Sequence, residues 1–230
     1  LDVPRTLETD EVPQIVEQFR QGAENAKKAG FDGVELHAAF GYLIDQFLQD
    51  GSNQRTDRYG GSVENRARFL LEIVEAVSSI WGDVSENNVG IKLSPSNTFY
   101  GMYDSNPKET FGYAIEALNQ FNLAYIHLME PNEADLATRE VINPVLPSFR
   151  PLYQGTMITN GNYDKSKGNQ ALAVSSADLI SFGRLFLANP DLPQRFAIDA
   201  ELNVPDPATF YGRGDSDLEN GYTDYPFFAA

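Results

Sequence analysis

Five short runs of branched apolar residues, each followed by a stretch with helical spacing or its beginnings, constrain this chain more than any other feature. They are Gly33-Val-Glu-Leu36, Val89-Gly-Ile-Lys-Leu93, Ala124-Tyr-Ile-His-Leu-Met129, Thr156-Met-Ile-Thr-Asn160 and Asp178-Leu-Ile-Ser-Phe-Gly183. Strands that alternate with helices do not form hairpins. The helix carries the chain back across the sheet, and the strands lie parallel. Most of these runs end in, or are followed directly by, a polar residue, and the last two lead into glycine-containing turns, as expected when all C-terminal strand ends face one site. An open doubly wound sheet would more often place one Gly-rich turn after its first strand, and no G-x-G-x-x-G occurs here. The expectation is an α/β fold of the (β/α)8 barrel type. Only five of the eight strands are read, so three are missing from the N-terminal side.

The helices are legible from apolar periodicity. Val12, Ile15, Val16, Phe19, Ala23 and Ala26 recur at helical spacing between Asp10 and Ala29, with Thr9 or Asp10 as the expected cap and Gly30 as the stop. A second helix is expected from about Ser62, with Phe69, Leu70, Ile73, Val74 and Val77 on one face, and a third opens at Asn106-Pro107. Between the first strand and the second helix a long polar loop is expected. A less regular segment should follow His127, and a loop-like aromatic tail runs from Leu202. No linker or internal repeat breaks the chain, so residues 1–230 are expected to form a single domain.

Composition narrows the function classes. Thirty-three acidic against 17 basic residues give a formal charge of −16, which repels nucleic acid and anionic membrane. The absence of cysteine excludes disulfides, thiolate nucleophiles and Cys-ligated metals, and fits a reducing, cytoplasmic location. No apolar run reaches membrane-spanning length, and Leu1-Asp-Val-Pro-Arg-Thr lacks the layout of a signal peptide.

Several side chains suit chemistry, each beside a plainer reading. His37, where the first strand gives way to loop, is either a site residue or a hydrogen-bonded core histidine, and Tyr42 gains interest only from its nearness to it. Gly161-Asn162 and Gly183-Arg184 offer backbone N–H groups at turns, and Arg184 adds a bidentate cation. Together they suit a phosphate, or else they are turn residues and one half of an ion pair. Lys92 inside an apolar strand is either a ligand contact or an ion-pair partner. His127 reads more simply as a satisfied core residue. Two histidines on separate strands without clustered carboxylates do not make a metal site.

The run Phe31-Asp-Gly-Val-Glu-Leu-His37-Ala-Ala-Phe40-Gly41-Tyr42 and the loop Asn53 to Arg68 resemble the flavin-dependent ene-reductases of the Old Yellow Enzyme family, especially the branch with N-ethylmaleimide reductase and the plant oxophytodienoate reductases. The likeness continues through Leu93-Ser-Pro95, Asp104-Ser-Asn-Pro107, Ile158-Thr-Asn-Gly161, Phe182-Gly-Arg184, Ala188-Asn-Pro-Asp191, Thr209-Phe-Tyr211 and Gly221-Tyr-Thr-Asp-Tyr-Pro226. The resemblance implies a (β/α)8 barrel that holds FMN, takes hydride from NAD(P)H and passes it to the β-carbon of an α,β-unsaturated carbonyl compound. His37 would donate a hydrogen bond to the carbonyl and Tyr42 would deliver the proton. Gly161, Asn162, Gly183 and Arg184 match the FMN phosphate site, with Phe210 and Tyr211 alongside, and Lys92 stands where the family usually has Arg near the flavin pyrimidine edge.

Three features depart from the family pattern. Phe40 occupies a position where the family has Asn or a second His as a carbonyl donor. Lys92 keeps charge but not the planar fork. The first three strands are absent, which would leave open sheet edges unless a complementary chain or self-association covers them. The resemblance therefore implies an ene-reductase portion with altered activity, and its alternative is a non-catalytic relative that serves as a binding or assembly subunit.

Overall fold

The apolar face of the first helix fixes where the sheet begins. In the computed structural model, which describes residues 5–81, 88–211 and 219–228, α1 (Val12–Lys28) starts two residues later than the expected boundary, with Glu11 at its cap and Pro13 in its first turn. Thr9 does not cap it, because its hydroxyl donates to the Asp57 carboxylate. Glu11 instead accepts from the Glu8 N–H at 2.7 Å and pairs with Arg5 at 2.6 Å. Gly30, with φ near 90°, takes the chain out of the helix in the left-handed conformation that glycine adopts without strain.

The chain then enters β1 (Val34–Ala38), whose parallel pairing runs to Ala38 opposite Leu93. His37 therefore lies within the strand rather than at its junction with the loop, a one-residue correction. The expected long polar loop also contains a helix, α2 (Leu43–Leu48), whose Ile44, Phe47 and Leu48 are buried. Six residues are too few for a periodic pattern to stand out. The second expected helix is α3 (Val63–Trp81). After β2 (Val89–Leu93) comes α4 (Pro107–Ala117), capped as expected by the Asn106 side chain, which accepts from the Glu109 N–H. The strand β3 (Tyr125–Met129) leads into two short helices, α5 (Glu133–Thr138) and α6 (Val145–Phe149). Next come β4 (Met157–Asn160), α7 (Lys165–Ala173) and a two-residue β5 (Leu179–Ile180), shorter than its apolar run suggested. The helices α8 (Arg184–Ala188) and α9 (Leu192–Ile198) precede the tail. Residues 212–218 and 229–230 of that tail lie outside the described residues.

Two compact units result: residues 1–162 with 170–180, and residues 163–169 with 181–230. The first holds one parallel sheet in the order β1-β2-β3-β4-β5, so β1 and β5 form its edges among the described residues. Strict adjacency of sequential parallel strands is the winding of a barrel wall, whereas a doubly wound sheet reverses its order at a switch point.

Period-two alternation divides the strands between two faces. Leu36, Ala38, Ile91, Leu93, Ile126, Leu128 and Met157 are buried in one apolar core with Phe69, Leu70, Ile73, Val74 and Val77 of α3 and Phe111 and Ile115 of α4, and α3 packs between α1 and α4. The opposite face carries Glu35, His37, Gly90, Lys92, Tyr125, His127 and Ile158, matched across the strands by register. Full burial of a side chain such as Phe69 or Ile73 is worth about 1.5–3 kcal/mol, so the helix-covered face holds the sheet and leaves the other free for polar groups.

The second unit is held by polar clasps. Arg195 bonds Asp191 at 2.6 Å and also donates to the carbonyls of Glu201 and Pro226, while the Asn189 side chain donates to the Asn203 carbonyl and accepts the Asn203 N–H, and the Asn203 amide donates to the Ala188 carbonyl.

Candidate functional site

The C-terminal end of β1 turns sharply. Phe40 and Gly41 both have positive φ, near 58° and 76°, which re-aims the chain before Tyr42 begins α2. Two side chains pin the turn: Ser94 accepts the Phe40 N–H at 2.8 Å, and Asp45 accepts the Gly41 N–H at 2.9 Å. A Cβ on Gly41 would approach Met102 to 2.9 Å, so the turn requires glycine for both conformation and space. Burial, opposed by the bonds from Gln49 and Gly41, pushes the Asp45 carboxyl up to about 6.

This turn brings three of the expected residues together. The His37 ring stacks on Phe40 with centroids 5.7 Å apart and meets the edge of Tyr42 at 5.2 Å; Tyr42 in turn meets Tyr100 edge-on at 6.2 Å. Tyr42 is 51% and Tyr100 69% exposed, so the cluster opens outward. Lys92 is the cross-strand partner of His37, and its ammonium lies 5.5 Å from the centre of the Phe40 ring. Burial, reinforced by the Lys92 charge, holds the His37 pKa below its usual value against the opposing pull of Glu35. His37 is therefore a neutral imidazole at pH 7, one of whose nitrogens donates. Burial likewise draws the Lys92 pKa down, with Glu35 opposing.

Beneath this layer lies a polar base. His127 Nδ1 bonds Glu35 at 2.9 Å, in keeping with its reading as a satisfied core residue. The Glu35 carboxyl also takes the Tyr125 hydroxyl; burial raises its pKa, but the His127 bond and the nearby positive charges outweigh that and leave it lowered. Burial and the Glu35 charge push the Tyr125 phenol up to about 12. Gly90 makes room for that ring, since a Cβ there would lie 2.4 Å from it. Glu35 gave no periodic or spacing signal as a functional residue, and only the register shows it beneath Lys92 and His37.

The loop from Asn53 to Arg66 proves structural. Asn53 donates to the carbonyls of Phe47 and Tyr59, and the buried Arg66 donates to the carbonyls of Leu48 and Gly61, to Thr110, and to Asp104 at 3.4 Å. These bonds fix the path between α2 and α3 and with it the turn that carries Tyr42.

The remaining expected residues fall in different units. Gly161 (φ near 117°) and Asn162 (φ near 53°) make a left-handed turn after β4 in the first unit. A Cβ on Gly161 would lie 2.9 Å from the Glu130 carbonyl oxygen. Glu130, another residue the sequence did not mark, accepts the N–H groups of Val145 and Leu146 at 2.6 and 2.8 Å, and burial raises its pKa. In the second unit Gly183 precedes Arg184 at the start of α8. The Phe210 carbonyl accepts the Tyr222 hydroxyl, and Tyr211 is 86% exposed. Among the described residues no group of three His, Asp or Glu could hold a metal ion.

The sequence and the fold of this chain have counterparts in known proteins. Residues 2–203 match the NADH:flavin oxidoreductase / NADH oxidase family. The chain belongs to that family. As a member, it is 49% identical over 225 residues to 12-oxophytodienoate reductase 1 of Oryza sativa subsp. japonica, covering 97% of this chain and 58% of that protein. It superposes on the solved structure of morphinone reductase with a TM-score of 0.88 at 46% identity, covering 99% of this chain and 59% of that one. A structure of morphinone reductase in complex with tetrahydroNAD gives a TM-score of 0.86 at 45% identity. The resemblance to Old Yellow Enzymes is thus supported, and this family member spans less than three-fifths of the length of these two relatives.

Proposed function

We propose that the chain is a portion, carrying the later five strands, of an FMN-dependent ene-reductase that reduces the C=C bond of α,β-unsaturated carbonyl compounds with NAD(P)H. The observation that carries this reading is the convergence of His37, Tyr42 and Lys92 on one face at the C-terminal end of β1, in a chain of this family. The residues fit a flavin. Lys92 is a partly buried cation on the open face with no hydrogen bond or ion pair among the described residues, the turn at Gly161 admits no side chain, and Arg184 brings a guanidinium suited to a phosphate dianion.

FMN, when bound, would supply the hydride received from the nicotinamide. His37, neutral at pH 7, would donate an N–H to the substrate carbonyl and strengthen that bond as negative charge develops on the oxygen. Tyr42, exposed at the mouth of the cluster with its ring steeply inclined to that of His37, would give its hydroxyl proton to the carbon α to the carbonyl. Phe40 would line the pocket, Lys92, Gly161, Asn162, Gly183, Arg184, Phe210 and Tyr211 would contact the cofactor, and both compact units would belong to one barrel portion spanning 1–230.

The free edge of β1, flanked by an apolar groove of about 540 Å³ lined by Ile15, Phe19, Leu43 and Val77, supports completion of the barrel by further strands from a complementary segment or by a second copy. A cytoplasmic location, supported by the lack of cysteine, belongs to the same reading and is checked by cell fractionation. The activity is tested by following NADPH and NADH oxidation by flavin-loaded protein with and without 2-cyclohexenone. Enone-dependent oxidation that falls about 10²-fold or more in Tyr42→Phe is expected, and a rate that ignores the enone refutes the reading.

A further inference from the structure

Position 40 and position 92 both depart from the family's usual residues, and they touch. The ammonium of Lys92 lies 5.5 Å from the Phe40 ring centre, inside the range of about 6 Å in which a cation is attracted to an aromatic face. The His37 ring lies nearly parallel to the same phenyl, at 23° and 5.7 Å. Lys92 and His37 are direct cross-strand partners with side chains on the same face, and parallel neighbours sit about 5 Å apart. One phenyl ring therefore anchors both an imidazole and an ammonium at the end of β1. The ammonium has shed part of its water; Glu35 attracts it through space, but no carboxylate pairs with it directly and no hydrogen bond reaches it among the described residues, so it is poised for an incoming acceptor.

We propose that Phe40 and Lys92 act as one unit, in which the ring holds the ammonium beside His37 and Lys92, which has three N–H donors and so can serve the cofactor as well, is the second ligand for the substrate oxygen, a contact that residue 40 cannot itself make. The identity of that substrate as an enone rests on the ene-reductase reading above. The pairing itself does not, because its ligand is any oxygen that carries or develops negative charge next to a flat conjugated body, which the rings of Phe40, Tyr42 and Tyr100 would flank. Lys92 would then serve the enolate oxygen as a mobile point charge, where a planar guanidinium would be committed to a fork of fixed geometry.

Two measurements on the same chain test this. In the first, NMR of flavin-free protein follows the ε-methylene resonance of Lys92. Phe40→Leu should move it downfield by removing the ring current, and an unmoved resonance overturns the pairing. In the second, equilibrium dialysis measures 4-nitrophenolate binding, with and without FMN, at a pH where the phenol is ionised and lysine still protonated. Lys92→Met should weaken binding about tenfold, equivalent to about 1.4 kcal/mol, while Lys92→Arg should largely preserve it. In a Phe40→Asn background the same Lys92→Met change should cost clearly less, because the amide then offers its own donor. Equal losses in both backgrounds, a loss under twofold, or no binding to the unsubstituted chain would each overturn the proposal. Failure to take up FMN alongside a positive NMR and dialysis result would sink the flavin reading and leave the pair standing.

Discussion

At position 40 two physical demands pull apart. The turn holds this residue at φ near 58°, a conformation that Asn and His tolerate far better than a bulky aromatic. The family's usual residues at this place thus suit the backbone as well as the carbonyl. Phe40 keeps the strained turn through its bond to Ser94 and its stacking with His37, and strain of this kind gathers where the surroundings over-determine it. Restoring Asn should relieve the backbone and add a donor. A wholly missing donor is worth about 10²–10³ in rate, but Lys92 covers part of the deficit, so Phe40→Asn should raise the rate of flavin reoxidation by cyclohexenone roughly tenfold. Stopped-flow reoxidation checks this, and an unchanged rate means the position does not face the carbonyl. Arg184→Ala should release FMN, seen as faster loss on dialysis, and unaltered retention would remove the phosphate assignment. The residue identities behind these predictions were readable in the sequence. The contact between Phe40 and Lys92 was not, because 52 residues separate them and it takes both the register that sets His37 opposite Lys92 and the turn at Phe40 to bring them together.

Among the elements, α2 holds the turn that carries Tyr42, although its six residues are too few to read from periodicity. Its Asp45 reaches back to the Gly41 N–H and also takes the Gln49 amide, which ties the strained turn to the helix. A carboxyl whose folded-state pKa of about 6 exceeds its unfolded value of about 3.9 binds its proton more tightly when folded. Its protonation therefore stabilises the fold fully below about 3.9, and that contribution is lost as pH rises through about 6, at up to about 1.4 kcal/mol per pH unit. Asp45→Asn keeps an acceptor for Gly41 and does not titrate. Between about pH 4 and about pH 7 its stability relative to the parent should therefore improve by roughly 1–3 kcal/mol, measured by urea denaturation at each pH. A difference independent of pH would show that Asp45 ionises as freely in the fold as outside it. The longer elements were legible because three or more turns of α1, α3 and α4 repeat their apolar stripe, and Asn106 before Pro107 announces its own cap. The cap of α1 was not, since Thr9 bonds Asp57, 48 residues away. The Asn53–Arg66 loop stood out in the sequence as a family mark, but its job is to clasp α2 to α3.

For the whole molecule, the order β1-β2-β3-β4-β5 is the wall of a barrel with its apolar side sealed by helices and polar groups on its other face. The alternation of strands and helices made that class legible, and the presence of five strands was correctly read. What could not be read was the distribution of the expected cofactor residues between two compact units, because contacts rather than composition divide them. The chain matches slightly under three-fifths of the length of its solved relative, so the account stands or falls on whether these five strands hold a flavin, alone or once completed. The direct measurement is the near-ultraviolet and visible absorbance of the purified protein, followed by denaturation to release and quantify flavin, repeated after incubation with FMN and with a segment supplying the preceding strands. The account predicts a flavin band approaching one per chain in at least the completed form, with a share lost in Arg184→Ala. A colourless protein under every one of these conditions would contradict it.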